Sequence, residues 1–117
     1  MRITRFEDIV AWQKAKGLSL GIYQAFQMSK DFGFRDQIQR ATVSIMNNIA
    51  EGFERQTNRE FKQFLFIAKG SCAEVRSMLY LAEELRYLEK SAQNKLSDET
   101  VEITKILNGL IKSIKTS

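Results

Sequence analysis

The amino-acid sequence predicts an all-α protein, an antiparallel up-down bundle of four helices in one domain spanning residues 1–117. Three observations carry this prediction. The sequence contains no proline, so long helices need not be interrupted. Apolar residues recur at steps of three and four through four long segments, which is the period of an amphipathic helix. Short polar connections separate these segments and therefore place consecutive helices side by side.

The first half of the chain contains two of these helices. The first is predicted from Phe6 to Gln27, because Thr4 and Glu7 form the T-x-x-E pattern of a capping box. Residues 30–33 are predicted to form the turn that follows. The second helix is then predicted from Arg35 to Glu54.

The second half of the chain contains the other two helices. Another T-x-x-E pattern, at Thr57–Glu60, opens a long third helix that is predicted from Asn58 to Lys90. Residues 91–95 are expected to be a polar connection. The fourth helix is predicted to begin at Ser97–Glu99, because acids in a first turn interact favourably with the helix dipole.

The second helix carries an unusual polar stripe. Its members follow one another at steps of three or four along one side of the helix: Gln37, Arg40, Ser44, Asn48 and Glu51. Such short hydrogen-bonding side chains are typical of a surface that faces another element. Together with Ser71 and Glu74 they are predicted to form a polar network that sets helix register or a subunit interface. We expect Glu51 and Glu74 to hydrogen-bond Arg40 or Asn48 across a helix interface, because buried charges persist only when paired.

The composition argues against most enzyme classes. The chain has no histidine and a single cysteine, Cys72, which removes the commonest general base, the usual zinc sites and any internal disulfide. No phosphate-binding loop, dinucleotide-binding motif or nucleophile elbow is present. We therefore predict no catalytic residue, no metal site and no cofactor. The alternative is a ribonuclease or other metal-dependent enzyme that uses Glu51 and Glu74 as an acid–base or Mg²⁺ pair.

Charge and hydropathy indicate where the protein acts. The formal net charge is +4, which suits a nucleic-acid partner without demanding one. No apolar run is long enough to cross a bilayer, and residues 1–12 lack the apolar core of a signal peptide. We expect a cytoplasmic protein with no membrane partner.

A basic line runs along the predicted third helix. Lys62, Lys69 and Arg76 recur every seven residues, and Arg59 lies one turn before Lys62. These four residues, the basic line, are the candidates for phosphate contact. The alternative interpretation is an ordinary solvated helix face. In a cyclic oligomer the line would be repeated around a ring, and a modest charge per chain would become a strong field.

Three sequence segments carry a resemblance to a known family. They are WQKA at residues 12–15, QIQRATVSIMNNIAEG at residues 37–52 and EFKQFLFIAKGSCAE at residues 60–74. Together they resemble the bacterial four-helix-bundle family encoded in intervening sequences of 23S rRNA genes. The resemblance covers most of the chain, and the fourth helix is its least diagnostic part.

The resemblance implies a left-handed four-helix bundle that assembles as a cyclic homopentamer. It also implies a fold related to the accessory variability determinant protein of diversity-generating retroelements. That relative is a positively charged pentameric barrel that binds nucleic acid and its reverse transcriptase. RNA or DNA, and a reverse transcriptase or another protein, are therefore the expected partners.

The chain departs from the family pattern at two places. Gln27 and Met46 stand where the family commonly has proline, and their presence is expected to straighten the second helix. Gln39 stands beside Arg40 where the family commonly has a pair of arginines. We therefore assign Arg40 a structural role first.

The leading functional hypothesis is a non-enzymatic, homo-oligomeric bundle that binds RNA or DNA nonspecifically through the repeated basic line. The alternative is a protein-interaction scaffold, for example one that docks a reverse transcriptase, without nucleic-acid binding of its own.

Overall fold

Four α-helices and one 3₁₀ turn make up the fold in the computed structural model, which describes residues 2–116. The 3₁₀ turn spans Phe6–Asp8, and the helices are α1 (Val10–Phe26), α2 (Phe32–Phe53), α3 (Asn58–Glu84) and α4 (Lys90–Ser113). Consecutive helices pack side by side and α4 packs against α1, whereas no Cα atoms of the diagonal pairs lie within 8 Å of each other. The predicted all-α bundle is confirmed, as a rod of 47 × 21 × 20 Å. Within the described range no helix is both long enough and apolar enough to span a bilayer.

The core consists of one buried stripe from each helix. The stripes are Ala11, Ala15, Leu18, Ile22 and Phe26 of α1, Ile38, Ala41, Ile45 and Ile49 of α2, Leu65, Ala68, Cys72, Val75, Leu79 and Ala82 of α3, and Leu96, Ile103, Leu107 and Ile111 of α4. Full burial of one Leu or Ile side chain contributes about 1.5–3 kcal/mol, so these stripes dominate the stability of the bundle. Val10 and Leu85 share the apolar spacing but are about half exposed.

The start of α1 differs from the prediction. Thr4 and Glu7 do not form a capping box, because the chain first makes the 3₁₀ turn and α1 begins only at Val10. The Glu7 side chain pairs with Arg5 at 3.4 Å, while its carbonyl accepts a hydrogen bond from Gln13 Nε2 at 2.9 Å. The side chain and the carbonyl of Glu7 therefore tie the turn to its neighbours on both sides.

The second helix begins three residues earlier than predicted, inside the segment expected to be a turn. Asp31 caps it, because its Oδ1 atom accepts a hydrogen bond from the Phe34 backbone N–H at 3.1 Å. Its Oδ2 atom accepts a 2.6 Å bond from the Tyr87 hydroxyl, which ties the start of α2 to the end of α3. That bond lowers the pKa of Asp31 and raises the pKa of Tyr87.

The third helix begins as predicted and ends early. Thr57 caps it, as predicted, because its Oγ1 atom accepts from the Glu60 backbone N–H at 3.1 Å. The Glu60 side chain accepts from the Thr57 hydroxyl at 3.0 Å rather than from the Thr57 backbone N–H, so only the N-cap half of the predicted capping box forms. The helix ends at Glu84 rather than Lys90, because Arg86 takes the left-handed conformation with φ of 64°. The Tyr87 N–H then bonds the Ala82 carbonyl at 2.8 Å, which is the hydrogen bond of a Schellman motif.

The fourth helix begins at Lys90, so two predictions about this region are wrong. Residues 91–95 are helical rather than a connection, and Ser97–Glu99 lies in the second and third turns rather than the first. Gln93 and Ser97 are buried, and Gln93 Nε2 donates to Ser97 Oγ at 2.9 Å. Because this polar pair is satisfied within one helix, it can face the core without an unpaired group.

Substitution of Arg86 tests this helix end. A side chain in the left-handed region costs roughly 1 kcal/mol that glycine avoids. We expect Arg86→Gly to raise the free energy of unfolding by about that amount and the melting temperature by about 4 °C. Arg86→Ala keeps the backbone cost and should give no such gain. Thermal melts followed by circular dichroism compare the variants, and equal stabilisation by both would contradict the explanation.

Candidate functional site

The polar stripe of α2 meets α3 halfway along the bundle. Ser44 Oγ lies 3.0 Å from Ser71 Oγ across the interface. Asn48 Nδ2 donates to Ser44 Oγ at 2.9 Å and to the Ser44 carbonyl at 2.7 Å. All three side chains are half-buried, so these hydrogen bonds satisfy groups that water reaches only in part. The structure thus brings three of the predicted network residues together at the interface between α2 and α3.

The charged members of the predicted network do not pair as expected. Glu74 Oε2 accepts only a weak 3.4 Å bond from Gln37 Nε2, and Glu51 pairs at 3.3 Å with Arg55, which lies just beyond the end of α2. Arg40 is exposed, and no carboxylate of residues 2–116 lies within 4.0 Å of it. The expectation that these acids bind Arg40 or Asn48 is therefore wrong. The acids are exposed, so the requirement for pairing of buried charges does not apply to them.

The two acids are also too far apart for a shared site. Glu74 lies beside Gln37, and Gln37 and Glu51 are fourteen positions apart on α2. At 1.5 Å per residue that separation is about 20 Å along the bundle. A single metal ion or water molecule cannot contact both carboxylates, so the acid–base or Mg²⁺ pair does not fit this geometry.

A polar cleft opens between α2 and α3, above the serine pair. Its volume is about 490 Å³, and its lining residues are Gly33, Gln37, Arg40, Ala41, Ser44, Ser71 and Glu74. Five of the seven predicted network residues line it, whereas Asn48 and Glu51 lie beyond it towards the end of α2. The small side chains of Ala41, Ser44 and Ser71 leave this space open. The arrangement places one cation, one anion and two hydroxyls around a solvent-filled space.

The basic line lies on the opposite edge of α3, beside α4. Thr104 of α4 lies beside Cys72, and Arg76 lies one turn further on, close enough for its charge to act on the Cys72 thiol. Lys62, Lys69 and Arg76 are half-buried, and Arg59 is exposed. Their seven-residue spacing keeps the three half-buried cations on one side of the helix.

The cations of the basic line form no ion pair within the described part of the chain. Among residues 2–116, none of the four lies within 4.0 Å of a carboxylate. Elsewhere on the surface Lys14 pairs with Glu102 at 3.6 Å and Lys95 with Glu99 at 3.9 Å. Within residues 2–116 the basic line shares this lack of a carboxylate partner with other surface lysines, among them Lys16 of α1 and Lys105 of α4.

Cys72 provides no reactive group at this edge. Burial raises the pKa of its thiol to about 11, against the smaller effects of the Thr104 hydrogen bond and the Arg76 charge. The thiolate is the nucleophilic form, and it is scarce at neutral pH with such a pKa. Cys72 acts as a small apolar core residue.

The structure adds one basic residue that the sequence reasoning missed. Asn58 Nδ2 donates to the Lys115 carbonyl at 3.1 Å, which brings the end of the chain beside the start of α3. Lys115 and Arg59 then line one surface depression. This position could have been predicted, because Lys115 follows the last turn of α4 and antiparallel packing places the end of α4 beside the start of α3.

Two helices also carry exposed apolar faces that the sequence analysis did not identify. Phe66, Ile67, Tyr80 and Leu81 of α3 are each 50–57% exposed, around the small residues of positions 70, 73 and 77. The corresponding large residues of α1 are Val10, Leu20 and Tyr23. Because α1 and α3 are diagonal in the bundle, these faces lie on opposite sides of the molecule.

Comparison with known proteins identifies a family and a solved structure that this chain resembles. A sequence profile described as 23S rRNA-intervening sequence protein matches residues 7–109. The chain is also similar to a solved structure from Bacteroides thetaiotaomicron, a protein with unknown function from the S23 ribosomal protein family. The TM-score is 0.83 at 27% identity, over 89% of this chain and 100% of that one. A comparison with curated proteins gives no significant match. Because the profile covers most of the sequence, the chain belongs to the 23S rRNA-intervening sequence protein family.

Proposed function

We propose that this chain is a non-enzymatic, homo-oligomeric helical bundle that binds RNA or DNA nonspecifically through a repeated basic surface. The observation that carries the proposal is the basic line of Arg59, Lys62, Lys69 and Arg76, which has no carboxylate partner among residues 2–116. Unpaired cations on a rigid helix are available to neutralise phosphates. The family match agrees with a setting close to RNA genes, although it assigns no activity.

The spacing of the basic line suits phosphate contact without base recognition. Cations seven residues apart are separated by about 10 Å along a helix, so neighbouring cations reach separate phosphates. Their half-buried stems limit the number of side-chain conformations that binding must still restrict. Phosphate contacts position a protein on nucleic acid without reading its sequence. We therefore expect binding with little preference among sequences.

Self-association would repeat this surface. The apolar face of α3 and the apolar face of α1 lie on opposite sides of one chain, so each can contact the other type of face on a neighbouring copy. Such a head-to-tail contact closes into a ring when the rotation between copies allows it. The homopentamer implied by the family resemblance is the ring we propose, and it would present five copies of the basic line.

Removal of the α3 apolar face tests the assembly. We expect Ile67→Ser combined with Leu81→Ser to convert the oligomer to a monomer of 13.5 kDa, because both side chains are about half exposed in the isolated chain. Phe32→Ser is the matched control, since Phe32 is an exposed aromatic residue at the start of α2. Light scattering after size-exclusion chromatography measures the mass. A monomeric wild-type chain, or an unchanged mass in the double variant, would contradict the proposed contact.

Salt titration tests nucleic-acid binding by the wild-type chain. Fluorescence anisotropy of a labelled RNA and a labelled DNA oligonucleotide should report binding that weakens log-linearly with salt, because each neutralised phosphate releases a counterion. Absence of binding to both oligonucleotides at low salt would overturn the nucleic-acid proposal.

The exposed apolar face of α3 also supports a second candidate function. Exposed apolar patches on soluble domains often mark protein interaction sites. A protein-interaction scaffold, for example one that docks a reverse transcriptase, would use this face without binding nucleic acid. It predicts that removal of Lys62, Lys69 and Arg76 leaves partner docking intact, and that the Ile67 and Leu81 substitutions abolish it.

A further inference from the structure

We propose that the polar cleft between α2 and α3 binds a small zwitterion of the α-amino-acid type. Its carboxylate would contact Arg40, and its ammonium group would contact Glu74. The cleft lies on the edge of α3 opposite the basic line, so this site is separate from the proposed nucleic-acid surface and does not depend on it.

Arg40 supplies the cationic side of the cleft. Its guanidinium lines the space and has neither a carboxylate within 4.0 Å nor a side-chain hydrogen bond to any part of the described chain. A guanidinium presents parallel N–H donors that match a carboxylate in a bidentate pair. Arg40 is therefore free to bind a ligand carboxylate without first breaking an internal ion pair.

Glu74 supplies the anionic side. Its Oε2 atom accepts the 3.4 Å bond from Gln37, and no cation of residues 2–116 lies within 4.0 Å of the carboxylate. The Oε1 atom has no hydrogen-bond partner in that range, so it is available to an ammonium group. A ligand ammonium would form a charge-assisted bond, which is shorter and stronger than the bond from Gln37.

The serine pair adds a donor at the floor of the cleft. Ser44 and Ser71 carry two hydroxyl protons between them, and their 3.0 Å contact uses only one. The Asn48 amide donates to Ser44 Oγ, so it consumes acceptor capacity and no proton. The second hydroxyl proton can therefore bond a ligand oxygen.

Charge balance selects a zwitterion over a simple anion. A phosphate would gain Arg40 but would meet the like charge of Glu74 in the same cleft, which is unfavourable. Arg40 and Glu74 line one space and form no ion pair with each other within 4.0 Å, so both charges are available to one molecule that carries the opposite charges. The space of about 490 Å³ is open to solvent, and its two charged lining residues, Arg40 and Glu74, are both exposed.

The test is an NMR titration of the ¹⁵N-labelled full chain with the common L-α-amino acids, first as a mixture and then singly. We expect saturable shifts of the backbone amides of Ala41, Ser44 and Ser71 at about millimolar concentrations of at least one amino acid. The N-acetylated form, which lacks the ammonium group, and the corresponding amine, which lacks the carboxylate, should each bind at least about tenfold more weakly. Inorganic phosphate serves as the anion control.

Variants connect the shifts to the two charges. Arg40→Gln and Glu74→Gln should each weaken binding by about tenfold, and both residues are exposed, so the remainder of the spectrum should stay unchanged. A chain with Lys62, Lys69 and Arg76 changed to Gln should bind the amino acid normally, which separates this proposal from nucleic-acid binding. No saturable shift with any amino acid, equal binding of the N-acetylated form, or shifts with phosphate alone would overturn it.

Discussion

Gly52→Ala should lower the free energy of unfolding by about 2 kcal/mol, although alanine is the better helix former. A Cβ atom at this position would lie 2.5 Å from the Cβ of Phe64 and 3.3 Å from the carbonyl oxygen of Phe61. The Phe64 Cβ is fixed to the α3 backbone, so α2 and α3 must separate to admit the extra methyl. That movement would also disturb the edge-on contact of Phe53 with Phe61, whose ring centroids are 5.7 Å apart.

Gly109→Ala is the matched control for this prediction. Gly109 lies inside α4, and a Cβ atom added there would meet nothing within 4 Å. Helix propensity alone should then raise the stability by roughly 0.5–1 kcal/mol. Urea unfolding followed by circular dichroism gives both values. If the two variants changed stability in the same direction, the close approach at Gly52 would not be what requires glycine there.

Changing Lys62, Lys69 and Arg76 together to Gln should lower the affinity for RNA by about 100-fold at about 0.1 M salt, because three phosphate contacts per chain are lost. The substitutions are on the surface edge of α3, outside the core stripe, so the fold should persist. The affinity is measured by anisotropy with one labelled oligonucleotide, and the fold by circular dichroism.

The control for this triple variant removes the same charge elsewhere. Lys14, Lys16 and Lys95 changed to Gln also lower the net charge of +4 by three. Lys14 and Lys95 have acidic partners, and Lys16 lies over the Trp12 ring. We expect at most a few-fold loss of affinity in this control, through the general field. An equal loss in both triple variants would mean that net charge, rather than the basic line, governs binding.

The bundle could be predicted from sequence because its core pattern is local. On α2 the residues at steps of three and four, Ile38, Ala41, Ile45 and Ile49, are all buried as the helical period requires. The helix cap at Thr57 could equally be predicted, since the cap and the first turn of the helix lie within four residues. Each of these signals depends on neighbouring positions only.

The residue at which α3 ends and the residue at which α4 begins could not be predicted from local sequence signals. Arg86 ends α3 in a conformation that usually requires glycine, so no glycine marked the position. It is supported by contacts distant in sequence, including the Tyr87 hydroxyl on Asp31. Gln93 was expected in a polar connection and Ser97 at the start of a helix, but Gln93 Nε2 donates a hydrogen bond to Ser97 Oγ inside α4. Tertiary packing decides both cases.

The candidate sites show the same division. The helical period placed Ser44 on one stripe of α2, and Ser71 was assigned to the same network; the two side chains lie 3.0 Å apart. The helical period did not show that Arg40 would lack an acidic partner, because an ion pair depends on how far each long side chain reaches. The position of Lys115 beside Arg59 likewise depends on how α4 ends against α3.

The measurement that tests the central claim most directly is the salt dependence of RNA affinity for the wild-type chain and for the Lys62, Lys69 and Arg76 triple variant, on one oligonucleotide. Each lost phosphate contact should reduce the slope of log affinity against log salt by about 1, so the variant line should be shallower by about 3 for each chain engaged. Parallel lines for the two proteins would show that these residues contact no phosphate, and would contradict nucleic-acid binding through the basic line.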